Sequence, residues 1–184
     1  MMIEKWKVKS RSLYRHSPYR AIEDVTYVMP SGKECVFSLK KEGTVVAVLA
    51  LDKNNKVILT KQFRPGPDAI LDELPGGGVH EEETPLEAMK RELLEETGYE
   101  SDHWIELGTP LECAYSTIRR YAFLATECEK TSDLNLDETE YIEVVLKSVD
   151  DFFEQLKQGQ CTDPEVGWMG LFEFGYLRKS KQKS

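Results

Sequence analysis

The spacing of apolar residues changes several times along the chain, and each change marks an element. Residues 45–51 (Val-Val-Ala-Val-Leu-Ala-Leu) form an unbroken apolar run, the pattern of a strand covered on both faces. Asp52-Lys53-Asn54-Asn55-Lys56 is turn chemistry, and residues 57–60 return as a partner strand that Arg64-Pro65 and Gly66-Pro67 bring to an end. Upstream, Lys5-Trp6-Lys7-Val8-Lys9 alternates with a period of two. Tyr27-Val28-Met29 and Cys35-Val36-Phe37-Ser38-Leu39 flank the turn Pro30-Ser31-Gly32-Lys33. Residues 1–40 therefore read as a hairpin-rich β piece. Further strands are predicted near 104–107, 120–126 and 141–146.

A helical period takes over after Leu74-Pro75-Gly76-Gly77-Gly78-Val79, which reads as a Gly-rich turn. Thr84 is an N-cap residue, Pro85 suits the first helical position, and Glu87 completes a capping box. Leu86, Met89 and Leu93 form the apolar stripe of a helix over 85–97, and Gly98 stops it. Ser148 caps a second helix over 149–158, with Phe152 and Leu156 turned to the core. Asp163-Pro164 starts a third that is predicted to run through 177. Strands mixed with three helices indicate an α/β domain.

Composition narrows the function classes. The 184 residues are 40% hydrophobic and 31% charged, enough apolar material for a packed core. No apolar run is long enough to span a bilayer, and no secretory apolar segment follows the N-terminus, so a cytoplasmic location is expected. The net charge of −9 argues against general binding of nucleic acid and favours the gathering of hard cations. Six basic side chains against Glu4 give the first twenty residues a charge of +5, read here as a strand with solvated lysines, with a basic interaction arm as the alternative. The four cysteines (Cys35, Cys113, Cys128, Cys161) form no C-x-x-C pair and are expected to be free thiols. His16, His80 and His103 stand in no triad-like context.

Negative charge is concentrated in residues 81–100, where eight carboxylates face only Lys90 and Arg91. At about 100° per residue, Glu92, Glu95 and Glu96 share one arc of the helix, with Glu92 and Glu96 stacked at i,i+4. Like charges there destabilise a helix unless a cation sits between them, and magnesium or manganese suits such oxygen ligands.

Gly77, five residues, Glu83, seven residues, then Arg91-Glu92-Leu93-Leu94-Glu95-Glu96-Thr97-Gly98-Tyr99 is similar to the signature of the Nudix hydrolases, G-x5-E-x7-R-E-U-x-E-E-x-G-U. Nine specified positions within 23 residues are matched if Tyr99 counts as bulky. The resemblance implies an α/β/α sandwich around a mixed sheet, and hydrolysis of a diphosphate linked to another moiety with Mg²⁺ or Mn²⁺. It implies metal ligation by Glu92, Glu96, the carbonyl of Gly76 and Glu95, with Glu83 a further ligand or a partner behind the ligands. Arg91 would orient the glutamates by charge-assisted hydrogen bonds.

The approach to this motif, Thr60-Lys61-Gln62-Phe63-Arg64-Pro65 and Leu71-Asp72-Glu73-Leu74-Pro75-Gly76-Gly77-Gly78, resembles the ADP-ribose pyrophosphatase branch. That likeness implies an N-terminal β lobe over 1–40 as a candidate dimerisation element, a catalytic domain over 41–184, and a homodimer. It makes Arg64 and Glu73 candidates for gripping the substrate. A loop glutamate would serve as catalytic base, for which Glu138 and Glu140 are both eligible, Glu140 first, in Asp137-Glu138-Thr139-Glu140. Where the branch usually carries a proline, about sixteen residues after Gly98, this chain has Ala114, so the loop that helps choose base and sugar is expected to differ. Tyr115 could stack on a base there, and Arg119 or Arg120 could pair with phosphate. The expected substrate is ADP-ribose or another nucleoside diphosphate sugar. The alternatives are another nucleoside diphosphate derivative, or a sensing domain that binds without cleaving; intact Glu92, Glu95 and Glu96 favour turnover.

Overall fold

The computed structural model describes residues 3–18, 20–136, 138 and 140–179. They fall into two compact units. One takes in the N-terminal segment up to Thr44 together with Leu111–Arg119, the other Val45–Pro110 and the chain from Arg120 onward.

The first unit is an antiparallel sheet of β1 (Lys7–Ser17), β2 (Arg20–Val28) and β3 (Glu34–Lys41), in that order. The hairpin predicted over 27–39 is the β2–β3 connection, where the Gly32 N–H donates to the Met29 carbonyl at 2.8 Å. Trp6, Tyr27 and Phe37 pack edge to face or tilted, with centroids 5.5–6.1 Å apart. β1 is exposed along its whole length, with Val8, Leu13 and Tyr14 open to solvent.

The second unit is built on an eight-stranded mixed sheet. Its strands are β4 (Thr44–Asp52), β5 (Val57–Arg64), β6 (Ala69–Glu73), β7 (Gly76–Gly78), β8 (Tyr99–Glu100), β9 (His103–Gly108), β10 (Arg119–Lys130) and β11 (Glu143–Lys147). The order is β11-β5-β4-β10-β8, with β6 on β5, β7 on β4 and β9 on β10. The helices are α1 (Pro85–Thr97), α2 (Val149–Lys157), α3 (Pro164–Glu173) and the short α4 (Tyr176–Lys179).

The apolar run of β4 explains the layering. Val46, Val48 and Ala50 meet Ile58, Phe123 and the α1 residues Ala88, Met89 and Leu93 on one face. Ala47, Leu49 and Leu51 meet Leu59, Leu124 and the α2 and α3 residues Phe152, Leu156, Val166 and Leu171 on the other. Each of these larger side chains, once buried, contributes about 1.5–3 kcal/mol. The result is the expected α/β/α sandwich.

Two readings are corrected. The Gly-rich segment is not wholly a turn, because Gly76–Gly78 pairs with Val45–Ala47 as β7. The last helix does not run unbroken to residue 177: Gly175, at φ +83°, ends it and α4 begins anew. All four cysteines are free. Among the described residues no helix is long and apolar enough to cross a membrane.

Candidate active site

The capping box predicted for α1 is formed: the Glu87 N–H donates to the Thr84 hydroxyl, and the Thr84 N–H to the Glu87 carboxylate. Gly98 closes the helix at φ +72°, its N–H donating to the Leu94 carbonyl at 2.8 Å. The helix is thereby fixed at both ends, and β7 lies against its acidic face.

Arg91 organises that face. Its Nε and Nη2 donate to the two oxygens of Glu83 at 2.7 and 3.0 Å. Nη1 donates to Glu92 and to Glu95, both at 3.0 Å, and Nη2 also reaches the Gly78 carbonyl at 3.0 Å. One planar cation thus ties three carboxylates to the glycine strand, a geometry that only a guanidinium supplies. The Arg91 hydrogen bonds pull the Glu83 carboxyl down to about 2, helped by the His80 N–H. Both Glu83 oxygens are thereby engaged, by Arg91 and by the His80 N–H.

Glu96 has the opposite environment. It is buried, and its Oε2 accepts from the Gly76 N–H at 3.0 Å. Burial pushes its carboxyl up to about 8, with the charges of Glu92 and Glu140 adding to the rise. Burial raises Glu92 as well, against the pull of Arg91, and the charges of Glu95 and Glu140 raise it further. A Cβ on Gly77 would stand 2.2 Å from Glu92 Oε1, so a side chain there would push the Glu92 carboxylate out of its place.

Glu140 is partly buried, and its charge is felt at both Glu92 and Glu96; Glu138 is exposed. Asp137 and Thr139 of the same acidic loop lie outside the described residues. The chain leading to this loop is fastened to the end of α1: the Thr131 and Ser132 N–H groups donate to the Gly98 carbonyl, and the Asn135 N–H donates to the Glu95 carbonyl at 2.9 Å.

Arg64, at the end of β5, donates from Nε to Glu73 Oε2 at 2.5 Å and is near enough to Glu96 to favour its charged form. Glu73, the other candidate for gripping the substrate, is buried to 1% exposure and pairs with Arg64. Tyr115 and Arg119 belong to the first unit. There Tyr115 stacks on Phe37 at 6.5 Å, and the exposed Arg119 donates its backbone N–H to the Gly43 carbonyl. Arg120 is held by Asp163 and Glu165 at 2.9 and 2.5 Å, a structural ion pair on a largely buried side chain.

The residues fit a hard divalent cation. Buried Glu96 and half-buried Glu92 repel one another, and the strain is of the kind a cation relieves. Among the described residues no three acidic, His or Cys side chains already converge to hold an ion by themselves. Glu83, Glu92 and Glu95 are drawn to Arg91, so the donor set needs a backbone oxygen as well. Sequence reasoning did not find the hydrogen bond from Gly76 to Glu96, nor the fastening of the Glu140 loop. Both depend on strands brought together by the fold, and no local pattern signals them.

Residues 41–166 match the family model described as the NUDIX domain. The chain is 28% identical over 148 residues to a methanol dehydrogenase activator of Bacillus methanolicus, covering 79% of this chain and 78% of that one. It is 30% identical over 154 residues to an ADP-ribose pyrophosphatase of Bacillus subtilis strain 168, covering 80% of each. A crystal structure of an ADP compounds hydrolase shares the fold at a TM-score of 0.81, with 16% identity across 98% of both chains.

Proposed function

Because the chain belongs to the Nudix family and is a Nudix pyrophosphohydrolase of nucleoside diphosphate derivatives, we propose that it hydrolyses ADP-ribose or a related nucleoside diphosphate sugar. The products would be a nucleoside monophosphate and a sugar phosphate. The reading is carried by one observation: two mutually repelling glutamates, half-buried Glu92 and buried Glu96, stand beside the Arg91 fork and within reach of the Glu140 charge. The relative named as an ADP-ribose pyrophosphatase supports the choice of substrate.

Mg²⁺ or Mn²⁺ would be held by Glu92, Glu96 and the Gly76 carbonyl, with Glu95 at the margin; it would neutralise the diphosphate and acidify a water. Arg91 holds the Glu92 and Glu95 carboxylates in place through Nη1. Arg64 presents its exposed guanidinium to the diphosphate oxygens. Glu140 takes the proton of the attacking water as its oxygen bonds to one phosphorus of the diphosphate, while the bond from that phosphorus to the bridging oxygen breaks and the other phosphate departs in line. Ligand carboxylates on a helix and a base on a loop tied to that helix let the water and the phosphorus be positioned together.

Hydrolysis of a panel of ADP-ribose, other nucleoside diphosphate sugars, dinucleotides and oxidised nucleotides, with saturating Mg²⁺ or Mn²⁺, tests this. ADP-ribose or an ADP-sugar is expected to be cleaved best. Preference for another class would move the substrate, and no turnover of any member would overturn the reading. We also propose a homodimer through the three-stranded N-terminal sheet, whose exposed β1 carries open apolar side chains. Sedimentation of the intact chain against a L13E/Y14E variant tests it, the variant being expected to run as a monomer.

A further inference from the structure

We propose that Glu73 is a positioning residue that acts on the reaction only through Arg64; the inference rests on the diphosphate reading above. Glu73 closes β6, opposite Thr60 of β5, and its side chain is 1% exposed. Oε2 accepts from Arg64 Nε, whereas Oε1 is buried with no hydrogen-bond partner among the described residues. A buried carboxylate with one oxygen unsatisfied costs stability, so its place there calls for a return elsewhere. The surroundings do not supply it: Asp163 lies close enough to feel the Glu73 charge as a repulsion.

What Glu73 does achieve is to take one edge of the Arg64 guanidinium. Arg64 itself is 45% exposed, and Nε is its one engaged donor among the described residues. An exposed arginine samples many rotamers, and that freedom is lost whenever it binds an anion. Here the cost is met within the fold, because the Glu73 carboxylate fixes the plane of the guanidinium in advance. The terminal nitrogens remain for two oxygens of a diphosphate. A lysine ammonium can neutralise Glu73, but as a compact point charge it has no planar fork to hold against one carboxylate while presenting two parallel donors to a diphosphate.

The test combines a double-mutant cycle with melting curves, using the intact protein and ADP-ribose with Mg²⁺. E73Q is expected to raise KM about tenfold and change kcat by less than about threefold, since an arginine free to wander loses ground-state and transition-state binding alike. Added to R64A, E73Q should change kcat/KM by less than about twofold, because nothing is left for it to position. R64A should melt below wild type, with Glu73 left as an uncompensated buried charge, and R64A/E73Q should melt above R64A. R64K should melt near wild type yet show the KM of R64A. An equal loss of kcat/KM from E73Q with and without Arg64 overturns the proposal, as does an R64A/E73Q protein that melts no higher than R64A. If the wild type cleaves no nucleoside diphosphate compound, the substrate reading fails and the positioning role fails with it, while the melting curves still report the ion pair separately.

Discussion

Two regions of the second unit are rich in carboxylates, and they have little else in common. One is the α1 face with Glu83, Glu92, Glu95 and Glu96. The other is a shallow depression of about 350 Å³ lined by Glu100, Asp102, Glu127 and Glu129 with Lys53 and His103. In the depression the charges sit in water: Lys53–Glu129 and His103–Glu127 are pairs whose side chains are all more than half exposed. Such pairs contribute little, and each carboxylate answers to its own solvent shell. On α1 a single arginine binds three carboxylates, and burial raises two of the group. A count of acidic residues does not separate the two regions. Withdrawal from water and a shared counter-ion do.

The contrast is broken most forcefully at Glu96. E96Q is expected to lower kcat by about 10³-fold, well beyond the 10–100-fold cost of a partner behind the metal ligands. The same variant has a signature in stability. Burial holds the Glu96 carboxyl at about 8 in the cation-free protein, above the ordinary carboxylate value of 4.5. The folded state therefore binds that proton more tightly. Its stabilisation is complete below about pH 4.5 and is lost as pH rises through 8. Cation-free wild type should melt lower at pH 8.5 than at pH 5.5, by calorimetry, and E96Q should flatten that slope. Glu83, pulled down to about 2 by Arg91, contributes the other way and only at acid pH, so it is silent in this window.

E140Q comes next. Loss of a general base costs about 10²–10⁴ in rate, and E140Q should show a fall of that order in kcat with Mg²⁺ binding retained, whereas E138Q should keep kcat within about threefold. Mg²⁺ titration by calorimetry beside the kinetics separates the two effects. G77A should act through geometry. Its Cβ would meet the flexible end of Glu92, so kcat/KM should fall about tenfold with little change in melting temperature. The same change at Gly76 would meet the Val46 carbonyl at 2.3 Å, and it should cost stability first. Smallest of all, E127Q/E129Q in the exposed depression should leave turnover within about twofold and melting within about 2 °C. A large effect there would erase the distinction between the two regions.

How legible each part was follows from how local its cause is. The α1 caps and the spacing of Arg91 to Glu96 are set by neighbours within one or two turns, and the structure forms them as read. Of the predicted apolar stripe Met89 and Leu93 are buried, but Leu86, in the first turn and outside both core clusters, is exposed. The two-faced burial of residues 45–51 was likewise written in an uninterrupted apolar run. Gly76–Gly78 looked like a turn because glycine marks turns, yet here it allows a strand to pass beneath Glu92. Gly175 was a visible signal for the break in the last helix. The burial of Glu73 and the capture of Arg120 by Asp163 were not legible, because each depends on elements distant in sequence.

The fastening of residues 131–135 to Gly98 and Glu95 has a dynamic consequence. The amides that anchor the loop are donors to carbonyls at the last turn of α1, so fraying of that turn releases the loop, and release of the loop uncovers the turn. The two segments should open as one cooperative unit, with the Asn135 amide exchanging its hydrogen in step with that of Gly98 and far more slowly than an ordinary surface loop.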